Sequence, residues 1–236
     1  MSRSKTLQQQ LGDYPLAAYV EYHRLNNQLG QVSPAQIDDF RERNAQLPAT
    51  ALLYQRWLKL QGQRRHWQQL HQRRYDTSNA ELKCYFVRAQ YGVGEKTAAL
   101  DATTALWVQP KSQPKACDPI FAFWRGTDRL TQDLVWQRLD GAMAASQWVL
   151  ARYLQRYLSG AKRTAAKAYY QLRREPQRVA WRGAFAANSV ENRAAIGFGI
   201  RRLAGRDAEK AAKAWAIFRD SHSFGGAERQ MLDDHV

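Results

Sequence analysis

The chain has 236 residues, 44% of them hydrophobic and 11% aromatic, which excludes a disordered polar tail and leaves material for a sizeable core or an extended array of small units. Its 36 Lys and Arg outnumber 21 Asp and Glu, a net charge of +15, so the partners it favours are polyanions: nucleic acid, an anionic membrane surface or a carboxylate-bearing cell-wall polymer. No run approaches the roughly 18 apolar residues of a membrane span, and the opening MSRSKTLQQQLGDYPL lacks the apolar stretch of a secretory signal.

Taken literally, that start implies a cytoplasmic protein or a piece of something longer. Strand signals are poor throughout, while Ala, Leu, Gln, Arg and Trp dominate, so the chain reads as nearly all helix. AAYVEYHRLNNQL spaces Tyr19, Tyr22 and Leu25 or Asn26 by three and four residues. PAQIDDFRERN follows Ser33, a capping residue, with Pro34 at the first helical position. Breaks then recur at Gly62, Gly94, Gly126, Gly160 and Gly205, at steps of 32, 32, 34 and 45 residues. Aromatic-rich helices precede these breaks, and most are followed by alanine-rich ones. A period in the thirties with a glycine turn is the pattern of a helical solenoid; the alternative is a compact bundle of similar helices. The tryptophans at 57, 67, 107, 124, 136, 148, 181 and 215 are spread along the array as wedge fillers, or in one or two cases as a sugar-stacking platform.

Both cysteines, Cys84 and Cys117, fall at corresponding ends of successive hairpins. That position favours a bridge, worth about 3–4 kcal/mol for a loop of this length, over the alternative of two isolated buried thiols. A metal site is disfavoured, because two Cys without nearby His do not complete a tetrahedral set. The histidines have no metal-ligand spacing, and His66 and His71 sit in a basic stretch with Arg64, Arg65, Arg73 and Arg74. GVGEK and SFGG lack the strand and spacing of phosphate loops and read as turns. Neither a cofactor nor a metal is implied.

No catalytic carboxylate stands out. Glu21, Glu81, Glu95, Glu175, Glu191 and Glu228 lie in no catalytic motif, and Asp38-Asp39 and Asp233-Asp234 are neighbours that point about 100° apart on a helix, so they read as solvated. Charge is more informative. Between Gly141 and Arg182 lie Arg152, Arg156, Lys162, Arg163, Lys167, Arg173, Arg174, Arg178 and Arg182 against the single acid Glu175, or 9 − 1 = +8. Arg152 with Arg156 and Arg163 with Lys167 each share a helical face. Tyr153, Tyr157, Tyr169 and Tyr170 interleave as candidate stackers for sugar or base. The candidate polymer-binding residues are Arg152, Arg156, Arg163, Lys167, Arg173 and Arg174; the bland alternative is an ordinary solvated face.

Several stretches carry a family resemblance: DYPLAAYVEY, LPATALLYQRWLKLQGQRRHW and, most specifically, Cys84 to Trp124 with Leu106-Trp107, Lys111-Ser112-Gln113-Pro114 and Ala116-Cys117-Asp118. Over about residues 13 to 224 the chain resembles the superhelical domain of the soluble lytic transglycosylases. The resemblance implies an all-α, right-handed superhelix of antiparallel helix hairpins, an open horseshoe occupying 1–236 as one domain. It implies a Cys84–Cys117 disulfide, an oxidising periplasm, and peptidoglycan as the partner, which that family cuts between N-acetylmuramic acid and N-acetylglucosamine to leave an anhydromuramyl end. The family's Glu-Ser motif and its Gly-Leu-Met-Gln and Asn-Ala-Gly-Pro segments do not occur here. The expectation is therefore a non-catalytic scaffold, partnered by a linker or catalytic domain outside it, or self-associating through an apolar C-terminal face near Trp215 and Phe218. A basic helical-repeat protein binding nucleic acid is the alternative.

Overall fold

A computed structural model of the chain describes residues 17–236. The opening MSRSKTLQQQLGDYPL, with the Asp13–Leu16 start of the family resemblance, lies outside the described residues. Among those described, every regular element is helical, and no helix is long and apolar enough to cross a membrane. The helices gather into two compact units, one reaching to Leu106 and including Gln113–Trp124, the other made of Trp107–Ser112 and Arg125–Val236.

The first unit opens with α1 (Ala17–Asn27) and α2 (Pro34–Arg43). Ser33 caps α2 through a complete capping box with Gln36, its hydroxyl accepting from the Gln36 N–H while the Gln36 side chain accepts from the Ser33 N–H. α3 (Pro48–Gln63), α4 (Trp67–Gln72) and α5 (Ala80–Gly92) follow, then α6 (Lys96–Trp107) and α7 (Asp118–Arg125). The apolar stripes of α1 to α5 close on a core of Leu25, Ile37, Phe40, Leu53, Trp57, Leu70, Leu82 and Tyr85. The Trp57 indole N–H is satisfied by the Val32 carbonyl at 2.9 Å, as a buried indole requires.

Glycine does two different jobs here. Gly94 is a turn residue with φ of 101°, where the Glu95 N–H reaches the Gln90 carbonyl at 3.1 Å. Gly62, read from the sequence as a break, lies inside α3: a Cβ there would sit 2.4 Å from the Tyr85 ring. It permits close helix approach, and the turn comes three residues later at Arg65, with φ of 61°. The same backbone device recurs at Ser146, φ 56°, in the second unit.

A disulfide joins Cys84, in α5, to Cys117, in the 3₁₀ turn Lys115–Cys117 ahead of α7; their Cα atoms are 4.8 Å apart and both residues are fully buried. It closes the long loop after α6 onto α5, and Arg88 reinforces it by donating to the Ala116 carbonyl at 3.1 Å.

The second unit contains α8 (Gln132–Ala144), α9 (Trp148–Leu154), α10 (Gly160–Gln171), the short α11 (Arg182–Phe185), α12 (Val190–Ala204), α13 (Ala208–Phe218) and α14 (Gly226–Asp233). Leu139, Leu154, Leu172, Ile196 and Ile200 form its interior. Tyr169, expected as a surface stacker, is 1% exposed and donates to Asp140 at 2.8 Å; burial, then the Asp140 carboxylate, pushes its phenol far above the usual range. Trp215 and Phe218 are each 2% exposed. Trp215 packs edge-on against Phe224 and donates to Asp233, and Phe218 packs edge-on against His222, so the apolar C-terminal face expected at these two residues is covered by the chain's own following segment.

Candidate binding site

Local structure around 148–171 decides where the basic strip points. Leu150, Ala151, Leu154 and Leu158 turn inward from α9 and the 3₁₀ turn Gln155–Tyr157, which forces Arg152, Tyr153 and Arg156 outward. In α10 the inward positions are Ala165, Ala166 and Tyr169, which leaves Arg163 and Lys167 exposed one turn apart. The Gln132 side chain ties the intervening turn to α8, its amide donating to the Tyr157 carbonyl at 2.8 Å and its carbonyl accepting from the Ser159 N–H at 3.0 Å.

Arg152, Arg156, Arg163 and Lys167, with Val149, Tyr153 and Gln155, line a depression of about 430 Å³. None of these four cations has an acidic partner among the described residues. Arg156 stacks over the Tyr153 ring at 4.4 Å, and the Tyr153 and Tyr157 hydroxyls meet at 2.7 Å. Burial first, and then the Tyr153 hydroxyl, push the Tyr157 phenol up. Nearby Arg138 is 5% exposed and stacks on Trp107 at 4.7 Å; burial drives its pKa down to about 10, so it remains a cation at neutral pH.

The other residues of the strip go elsewhere. Arg173 stacks on Tyr170 at 4.4 Å, and the Arg173 and Arg174 carbonyls accept from Arg202 and Arg206. Neither lines the depression. Lys162 is neutralised by Asp133 and Glu191, and Arg178 by Glu175 while it stacks on Trp181 at 4.5 Å. Four of the six candidate residues therefore converge and two do not.

Most of the carboxylates singled out in the sequence are occupied as counter-ions. Glu21 pairs with Arg43, Glu81 with Lys59, Glu95 with His71 and Arg74, and Glu191 with Lys162. Asp38 and Asp39 diverge, to Arg73 and Arg43, and Asp233 holds Arg219; these three are paired where the sequence suggested plain solvation. In the basic stretch around His66 and His71 the same contacts neutralise Arg73 and Arg74, while Arg64 donates to the Gly30 carbonyl. Among the described residues no group of His, Cys, Asp or Glu is arranged to hold a metal ion.

A second concavity, invisible to the charge reading, lies in the first unit. Arg65, Trp67, Arg88, Tyr91, Ile120 and Phe123 enclose about 270 Å³. Its signal in the sequence was the pair of aromatics at Tyr91 and Phe123, whose rings stack at 5.1 Å with 12° between planes.

No family model matches the chain. It is 28% identical over 204 residues to the soluble lytic murein transglycosylase of Escherichia coli, covering 85% of this chain and 31% of that protein. To the Salmonella typhimurium protein of the same description it is 28% identical over 170 residues, 72% of this chain and 26% of the other. Among solved structures, an inactive mutant of the lytic transglycosylase Slt from Pseudomonas aeruginosa matches with a TM-score of 0.85 at 29% identity, over 98% of this chain and 38% of that one. The chain is thus homologous to the helical, superhelical part of soluble lytic murein transglycosylases, and spans less than a third of the curated relatives' length.

Proposed function

We propose that this chain is the superhelical portion, a single domain over 1–236, of a soluble lytic transglycosylase of the periplasm, and that it binds and positions peptidoglycan. In this reading it is a scaffold. Cleavage between N-acetylmuramic acid and N-acetylglucosamine, with its proton-transferring glutamate, belongs to a catalytic domain outside these residues. The observation that carries the proposal is the depression of Arg152, Arg156, Arg163 and Lys167, four cations without carboxylate partners among the described residues, beside an exposed tyrosine. Stem-peptide carboxylates would supply the missing counter-charge, and Tyr153 offers a ring for a sugar face. The Cys84–Cys117 bridge supports export, since structural disulfides persist in oxidising compartments. Homology to murein-cleaving enzymes favours this polymer over nucleic acid, for which charge is the only argument.

Retention on purified sacculi is the test. Replacing Arg152 and Arg163 by Glu reverses two exposed charges without touching the interior, and is expected to lower the retained fraction about tenfold at low salt, with the difference shrinking as salt screens the site. Unchanged retention, or a preference for duplex DNA with a steep counter-ion dependence, overturns the proposal.

A further inference from the structure

We propose that the first unit holds a separate site, between Arg65, Arg88, Trp67, Tyr91 and Phe123, for one pyranose ring bearing a carboxylate, the ring lying on the aromatics and the carboxylate reaching the two arginines. The choice of a sugar acid rests on the peptidoglycan reading, applied to glycan from which the stem peptide has been removed so that the lactyl carboxylate is free; the site itself rests on four observations. A volume of about 270 Å³ suits a single ring and not a folded chain. Phe123 is 57% exposed, yet it is held flat against Tyr91, which presents a fixed apolar face. Sugars stack on such faces through their axial C–H groups.

The third observation is Arg88. Its guanidinium is half-buried over the Trp67 ring at 5.0 Å and the Tyr85 ring at 5.4 Å, and it donates to the Ala116 carbonyl. No carboxylate among the described residues neutralises it. Burial, offset in part by Tyr85 and reinforced by the charge of Arg65, weakens its hold on its proton. A desolvated cation without a counter-ion is costly, and an incoming carboxylate relieves that cost. The fourth observation is Arg65, an exposed non-glycine residue in the left-handed region at φ 61°. At the matching place in other hairpins the chain uses Gly94 and Ser146; what sets Arg65 apart is that its side chain also lines the cavity. Strain of this kind persists at ligand sites where the side chain is needed.

The experiment is titration of the full chain with N-acetylmuramic acid and, in parallel, N-acetylglucosamine, which lacks the lactyl carboxylate, followed by amide and indole NMR shifts. N-acetylmuramic acid is expected to move the Trp67 indole and Arg88 amide signals, with N-acetylglucosamine about tenfold weaker, as expected for loss of a charge-assisted contact. Phe123→Ala should weaken binding about tenfold. Arg65→Gly should do the same while raising the melting temperature by about 2–4 °C, as relief of one strained residue predicts. Equal binding of the two sugars, shifts mapping away from this pocket, no shifts at tens of millimolar ligand, or Arg65→Gly gaining stability with affinity intact would each overturn the proposal. Sacculus retention reads the other site independently. Retention that depends on Arg152 and Arg163 with an empty pocket sinks this inference alone. A filled pocket with retention indifferent to those arginines sinks the basic depression alone.

Discussion

The concavities of the two units set their positive charge in different surroundings. In the first, Arg65 and Arg88 are set among aromatic rings, while Arg43, Lys59, Arg73 and Arg74 outside the concavity are each met by a carboxylate. In the second, the concavity is walled by Arg152, Arg156, Arg163 and Lys167, with no acid among the described residues to meet them. The net charge of +15 is therefore not a uniform coat. It is what remains where carboxylates fail to reach, and a concave surface of one sign focuses its field on whatever enters.

The largest effect that separates the units should come from the covalent link. Replacing Cys84 and Cys117 together by Ala is expected to cost about 3–4 kcal/mol in urea unfolding, from freeing a loop of 33 residues. Amide exchange should quicken in α5 and α7 and stay unchanged in α12 and α13. Equal loosening in both units would break the comparison. A smaller effect tests packing. Gly62→Ala drives a methyl to 2.4 Å from the Tyr85 ring and should destabilise the first unit by about 2–3 kcal/mol, whereas a Cβ at Gly183 in the second meets nothing within 4 Å and Gly183→Ala should be neutral or slightly stabilising. Thermal scans of both variants decide it.

How much of this the sequence disclosed depends on range. Helical content, the Ser33-Pro34 start and the turn at Gly94 are local, written within a few residues, and they were legible. Gly62 misled because a glycine required by a ring 23 positions away looks identical to one required by a turn. The strip of nine cations was visible as composition, but its division was not. Lys162 is quenched by Asp133 and Glu191, each 29 residues distant, and no window on the strip contains them. The inward rotation of Tyr169 follows from the phase of α10 against its neighbours, which the run KAYYQ leaves open. Trp57, Trp107 and Trp124 fill the interior, while Trp67 lines a pocket and Trp181 is 57% exposed; tryptophan spacing alone could not sort them.

The smallest prediction concerns the one lysine of the strip that is matched by two carboxylates. Burial pushes Glu191 up, but Lys162, the Ser189 hydroxyl and its own backbone N–H outweigh it, and the carboxyl ends below its ordinary 4.5. Its ionised form is thus favoured in the folded state, so the stabilisation is complete above 4.5 and fades as pH falls through the lowered native value. Glu191→Gln should cost about 1 kcal/mol at pH 7, a difference that closes on acidification. The same change strips Lys162 of one counter-ion, and retention on an anionic polymer should rise slightly. If it falls, the contrast between matched and unmatched cations does not govern binding.

Gln132 has a consequence for how such measurements are interpreted. One neutral side chain grips both the carbonyl of Tyr157 and the N–H of Ser159, and so fixes the turn from which the cations project. Dissolved ions screen charges but have little hold on an amide clamp. The surface is salt-tolerant in shape and salt-sensitive in attraction, so a loss of polymer binding at high ionic strength reports the strength of the attraction and not the melting of the site.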